Sequence, residues 1–482
     1  MVYEADIIKE YPCDGMTGRQ VIYTNEREIT VGNVIDVIAK ASGCHRINAM
    51  QETYLYEYYK GKQDILYKTK EVRESINNKV CENKANEIVT FKTAFLLSDP
   101  IQYVSTTAED EKVKKLDLLN TFFDDADKQG ADKSTADWIH ICGVAPRLVV
   151  RRDDWDEDYS ESPFSIYSLD PREAFCIYHS GLGHKRLAGV FIQYDEKGRE
   201  YHCVYTKSFY CEVQNGEFKR RPEPHIYNCV PMVEYINNKA RMGSFESVLP
   251  LLNAVNRMQS DRTDAIQDYV NAYDVFQNCD IDVEQYKSLS AGGSYIKIAS
   301  MTPGIEAKVY RISSQLDQNG VETAKKDIEM SILSICGMPS LGDGNSNTSD
   351  NVGSVIYRQG YFSAGARAND TANLWKETEK EFIRIILKEC PNQFENFKLS
   401  DIRIEWTRKS LENLQSKVQV LCEMLNNSKI HPKDAFETSG VFVDSERAYK
   451  RGLEWYEEEQ AKLEAEMDNA DDDGAAETGD QA

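Results

Sequence analysis

Between Pro146 and Asn238 the chain abandons helical periodicity. LVVRRDD, PFSIYSL, FCIYH, LAGVFIQY, REYHCVYT and SFYCEV are short runs rich in β-branched and aromatic residues, and the turn signals DEKG (195–198) and QNG (214–216) punctuate them. Runs of that length and composition, separated by such turns, suit the strands of an antiparallel meander. On both sides of this block the apolar residues recur at helical spacing. The chain is therefore expected to fold as an α+β, mainly helical protein with a β meander over 146–236.

Helical signals come first. A helix is expected to end at YLYEYYKG with Gly61 as its C-cap. Another is expected from Ser75 to Leu97, placing Ile76, Val80, Ile88, Phe91 and Phe95 on one stripe and stopping before Pro100. Two more fall near 109–128 and 131–142. Beyond the meander, 247–276 reads as a long helix. Residues 277–318 read as a mixed insert with strands around YIKIA and AKVYRI. Asn319 and Glu322 have the spacing of a capping box for a helix ending at Gly337 and Pro339. Val352 to about Lys388 reads as a further long helix, bent at Gly360 or Gly365 and burying Val355, Ile356, Phe362, Ile385 and Ile386. Helices around 409–426, 432–438 and 446–467 close the chain. Between two of the long helices, 340–353 reads SLGDGNSNTSDNVG, a polar loop with two apolar side chains.

With 482 residues the chain can build more than one core. It has no apolar run of membrane-spanning length and no leader-like N-terminus, so it is expected to be soluble and cytoplasmic, with no membrane partner. The 12 Cys are scattered without a CxxC pair, as reduced thiols would be. Of the net charge of −23, the stretch Glu454–Ala482 carries −11, and its end, 468–482, is expected to be disordered. No sizeable basic patch stands out, which argues against tight nonspecific nucleic-acid binding.

No constellation for catalysis emerges. The 340–353 loop lacks the GK[ST] ending of a phosphate loop. There is no GxSxG. Cys176, His179, His184, His202, Cys203, Cys211, His225 and Cys229 concentrate metal-type side chains in the β region, yet their spacings match no standard zinc pair. No cofactor, metal or catalytic residue is expected. A metal-dependent enzyme built on that His/Cys-rich region and an acidic scaffold or interaction protein remain as alternatives.

Four stretches together resemble a known family. NNKVCENKANEIVTFKTAFLLSDPIQY (77–103) resembles the segment in portal proteins of tailed bacteriophages where an Asn-Asn pair opens a helix that ends at a Leu-Leu-x-x-Pro stop and a strand. WIHICGVAPRLV (138–149) resembles the next helix-to-strand step at a glycine. CVPMVEYINN…GSFESVLPLLNAVN (229–256) is similar to the Val-Pro strand and the helix start that follows it. HPKDAFETSGVFVDSERA (431–448) resembles the C-terminal helical hairpin. The likeness is to portals of long-tailed phages of Gram-positive hosts and covers roughly 45–460. The chain departs from the pattern at Ser98 and at the junction SDNVGSV.

The resemblance implies a virion protein without enzymatic activity. It implies a ring of twelve copies at the capsid vertex, assembled in the host cytoplasm, through which double-stranded DNA is packaged and ejected. Terminase large subunit, head-tail adaptor, major capsid and scaffolding proteins would be its partners. Residues 1–246 would be N-terminal arm and wing, 247–276 the first stem helix, 277–318 the clip and 319–338 the second stem helix. Residues 339–352 would be the tunnel loop, 353–408 a long wing helix and following strand, and 409–467 the crown. Gly344, Asn345, Ser346, Asn347, Thr348, Ser349, Asp350 and Asn351 would then face DNA. Lys325 and Lys326 would line the channel or simply sit on a solvated helix face. Tyr286, Tyr295 and Ile296 would be clip contacts or ordinary core.

Overall fold

The computed structural model describes residues 18–476 apart from 72–73, 108, 153–154, 156–160, 226–227, 271–272, 280–300, 303, 313–317, 340–359, 407–413 and 443–444. The meander forms where the alternation placed it, but the β-block divides into two sheets. Strand β1 (Ile22–Thr24) pairs in parallel with β5 (Ala174–His179), and β6 (Arg186–Tyr194), β7 (Glu200–Thr206), β8 (Phe209–Gln214) and β9 (Glu217–Pro224) follow as consecutive antiparallel neighbours. The QNG turn works as its residues dictate: Asn215 and Gly216 both take positive φ, 52° and 79°, as the tight hairpin between β8 and β9 requires.

The runs expected to open the meander belong elsewhere. β3 (Val144–Arg151) lies between β4 (Phe164–Ser168) and β10 (Met232–Ile236) in a separate three-stranded sheet. The reason is burial on both faces: the first six residues of β3 are all buried, which an alternating surface strand would not be. Two small pairs complete the strands: β2 (Gln102–Ser105) with β13 (Ile402–Glu405), and β11 (Tyr273–Gln277) with β12 (Lys308–Ile312).

Helix α1 (Val34–Tyr59) bridges two cores. Its first half sets Val34, Val37, Ile38 and Ala41 on the six-stranded sheet, and its second half sets Tyr54, Leu55 and Tyr58 into a helical core. That core is shared with α2 (Lys84–Leu96), α5 (Leu249–Val270) and α6 (Gln318–Cys336). The largest core joins α3 (Asp110–Asp125) and α4 (Lys128–Cys142) to α7 (Tyr361–Glu389), around Phe122, Phe123, Ile139, Trp375, Phe382 and Ile386. Helices α8 (Leu414–Leu425), α9 (Pro432–Ser439) and α10 (Ser445–Ala476) end the described chain.

Several boundaries differ from expectation, each for a physical reason. Helix α7 is described from Tyr361, with Gly360 (φ 79°) before it, and the expected earlier part with Val355 and Ile356 lies outside the described residues. Ile385 and Ile386 are buried as expected, whereas Phe362 is exposed. Helix α5 stops at Val270, and Tyr273–Gln277 instead pairs as a strand. Helix α6 already runs through Asn319, and Glu322 ion-pairs with Arg262 of α5 at 2.6 Å rather than closing a capping box. Helix α10 continues to Ala476, past residue 468, because a helix seeded in the Glu- and Ala-rich 457–466 run extends at little cost.

Helix α4 passes into β3 without a loop, and Gly143 makes that possible. Its φ is +88°, and a Cβ there would stand 2.3 Å from the Arg241 carbonyl oxygen, an overlap between two backbones that cannot swing aside. Gly143→Ala is expected to cost roughly 3 kcal/mol or more, combining left-handed strain with the clash. Thermal unfolding of the variant measures it, and an unchanged midpoint would refute the close approach.

Candidate functional site

The residues singled out by sequence lie on α6, between α5 and α6 along the sequence, and between α6 and α7 along the sequence. The loop residues Gly344 to Asn351 and the insert residues Tyr286, Tyr295 and Ile296 lie outside the described residues. Lys325 and Lys326 are described. Lys325 is held between the helices: its ammonium donates to Glu82 Oε1 at 2.5 Å and to Gln259 Oε1 of α5 at 3.2 Å. Lys326 is exposed.

Glu82 belongs to a segment that sequence periodicity had assigned to helix. Residues 77–82 are instead a non-helical strap laid along α5, and its alternate amides are satisfied by side chains one helical turn apart. Asn78 N–H donates to Asp264 Oδ1 at 2.7 Å, Val80 N–H to Ser260 Oγ at 2.9 Å and Glu82 N–H to Asn256 Oδ1 at 3.0 Å. The match is metric: four helical residues rise about 6 Å and two strand residues about 6.6 Å. Asn256, Ser260 and Asp264 are 2%, 0% and 4% exposed, so each hydrogen bond replaces water at a buried group. The strap's last link, Glu82, thus touches both long helices, directly on α5 and through Lys325 on α6.

The two ends of the 340–359 segment are fixed beside one another. Helix α6 ends at Gly337 with φ +67°, and α7 begins after Gly360. Arg367 of α7 donates to the Ser334 and Ile335 carbonyls, adding to the backbone bonds from Gly337 and Met338 that close the C-terminal turn of α6. A Cβ on Gly337 would meet the Arg367 side chain, so the glycine makes room for the clamp.

Helix α7 is itself anchored by a buried charged hub. Glu379, fully buried, accepts from Tyr103 Oη and Tyr235 Oη at 2.7 Å each and from Trp375 Nε1 at 3.1 Å. Lys128 stands 3.0 Å from Glu379 Oε1 and 2.8 Å from Asp132, and Arg147 pairs with Asp132 at 2.8 Å. Burial alone would raise the Glu379 pKa, but Lys128, Arg147 and the tyrosine hydroxyls overcome it and hold the carboxyl well below the usual range. The hub was missed in the sequence. Its one signal was Arg147, a charge within the apolar run VAPRLVV.

The His/Cys-rich sheet gives its ligand-type side chains other partners. His202 bonds Ser42 Oγ, His225 donates to the Thr206 carbonyl and His179 to the Glu26 carbonyl, while Cys176, Cys203 and Cys211 are buried in separate places. Among the described residues no group of three or more His, Cys, Asp or Glu is placed to hold a metal ion. Nor is any described helix long and apolar enough to cross a membrane.

A family model described as phage portal protein, SPP1 Gp6-like, matches residues 45–472. The chain belongs to that family. Among curated proteins none matches it. Solved structures similar to it include the neck of a native GTA particle computed with C12 symmetry, at 9% identity, covering 74% of this chain and 89% of that one with a TM-score of 0.45. A second is the neck of an empty GTA particle computed with C6 symmetry, at 10% identity, covering 74% and 90% with a TM-score of 0.42. At that level of likeness the assignment rests on the family match.

Proposed function

We propose that this chain closes with copies of itself into a ring around a channel for double-stranded DNA, at a capsid vertex of a tailed phage. It would act as a conduit and docking platform without chemistry of its own. The observation that carries the reading is the family match over 45–472. In this arrangement α5 and α6 are the stem and the strap is the spacer between them. Residues 277–318 form the clip, and 339–352 the tunnel loop that touches DNA. Residues 1–246 and α7 make the wing, and 409–467 the crown. Force comes from a separate ATP-driven terminase, with a head-tail adaptor on the clip and capsid and scaffolding proteins around the wing.

Two details suit a conduit, one of the geometry and one of the sequence. Lys325 is neutralised by Glu82, which leaves Lys326 as the stem lysine free to meet the channel or solvent. The loop residues Asn345, Asn347 and Ser349 offer replaceable hydrogen bonds and no fixed cation, so a duplex can slide past them.

Native mass spectrometry of the full-length protein is expected to show a closed ring of about a dozen 55.0 kDa chains. A strict monomer in the presence of capsid and scaffolding proteins would overturn the ring. Replacing Asn345, Asn347 and Ser349 together by Lys should leave ring mass unchanged and sharply lower DNA packaging, because three fixed cations per copy would grip phosphates. Normal packaging by that variant would remove the loop from the channel.

A further inference from the structure

On the wing, a concavity of about 420 Å3 opens where the β5–β6 turn, the β7–β8 turn and the last third of α7 meet. Its walls carry Lys185, Arg186, Lys207, Arg384 and Lys388 against one carboxylate, Glu381. This is a local excess of positive charge in a chain whose net charge is −23. The cations are drawn from positions up to 200 apart, which is why no basic patch is visible along the sequence.

Their internal pairing is incomplete. Arg186 reaches Glu381 at 2.9 Å, but its Nε is buried with no hydrogen-bond partner. Lys388 donates, among the described residues, to the Asn228 carbonyl at 3.5 Å. The exposed side chains of Lys185, Lys207 and Arg384 meet no carboxylate among the described residues. Like charges gathered in a recess repel one another, and an external anion is what relieves them.

The apolar surroundings narrow the kind of anion. Val230 and Ile385 form part of the lining, and Leu182, at the tip of the β5–β6 turn, is fully exposed. A recess of this size between a sheet and a helix takes side chains, whereas a duplex is a convex rod that would rest on the rim. An exposed leucine beside it adds nothing to phosphate binding but suits an apolar side chain between acids.

We propose that this pocket docks an acidic peptide segment of a partner protein, with carboxylates on Lys185, Lys207 and Arg384 and an apolar side chain against Leu182. The proposal does not depend on the proposed channel.

Fluorescence anisotropy of a labelled peptide, Asp-Glu-Leu-Asp-Glu-Phe-Asp-Glu, titrated with the full-length protein tests this. Binding is expected to be saturable and to weaken about tenfold or more in Lys207→Glu/Arg384→Glu, since like charges then face the peptide. Lys207→Arg/Arg384→Lys should retain it, and both positions are exposed, so ring mass and thermal midpoint serve as folding controls. A 30-base-pair duplex should fail to compete. Absence of peptide binding, equal affinity in the charge-reversed protein, or displacement by the duplex would each overturn the proposal, the last in favour of nucleic acid.

Discussion

Glu379→Ala is expected to destabilise the protein by roughly 3–5 kcal/mol, the usual consequence of removing one partner from a buried ion pair. The truncation leaves Lys128 and Arg147 with Asp132 as their one carboxylate partner among the described residues, and it strips acceptors from Tyr103, Tyr235 and Trp375. All of these lie inside the largest core, where water cannot restore the lost bonds. Glu379→Gln should lose less, because the amide oxygen still accepts from one of the two tyrosines, while its NH2 faces the partners of the other oxygen, either Tyr103 and Lys128 or Tyr235 and Trp375. The apparent unfolding midpoint in denaturant, taken on assembled protein of matched concentration, measures both. Equal midpoints for wild type and Glu379→Ala would sink the hub as an anchor.

The same hub sets a pH dependence. Its folded carboxyl titrates below the unfolded value of about 4.3, so the folded state binds fewer protons there and the stabilisation is fully present above that value. It fades as pH falls below about 4 and is lost as the folded carboxyl protonates. Wild type should therefore lose stability faster than Glu379→Gln between about pH 4.5 and 2.

How far these features could be read in advance depends on whether their causes are local. The NG turn, Gly61 at the end of α1 and the β5–β9 meander follow from neighbours a few residues apart, and they stand where periodicity put them. Gly61 and Gly143 both take the left-handed conformation that non-glycine residues resist. The strap failed the same reading because Ile76 and Val80 happen to sit at helical spacing before α2. What holds it in place is a row of side chains on α5, about 180 residues away, which no local rule contains. The six-stranded sheet and the β3 sheet share one compositional texture, and only the two-sided burial of β3 separates them. The hub and the basic pocket are assemblies of single residues from distant segments. Arg147 was the visible trace of the first, and the second left none.

The second large effect is expected from Asp264→Ala, about 3–4 kcal/mol, because this carboxylate holds strap and helix together from a nearly buried position. Its Oδ1 takes the Asn78 amide and Asn78 Nδ2 at 2.7 and 2.8 Å, and its Oδ2 takes Lys68 at 3.0 Å. Lys68 would keep only the exposed Asp261, which is worth far less. Asp264→Asn preserves an acceptor for the Asn78 amide while removing the charge, so it should cost less, about 1–2 kcal/mol. Hydrogen exchange separates the strap from global stability: the Asn78 and Val80 amides should lose protection in Asp264→Ala while Ile88 and Val89 of α2 keep theirs. Unchanged protection at Asn78 would show that the strap is held by something other than α5. If the loss spreads to Glu82, the Lys325 ion pair should loosen with it. The spacing of α5 and α6, the two helices proposed to wall the channel, would then depend on a segment that is neither helix nor sheet.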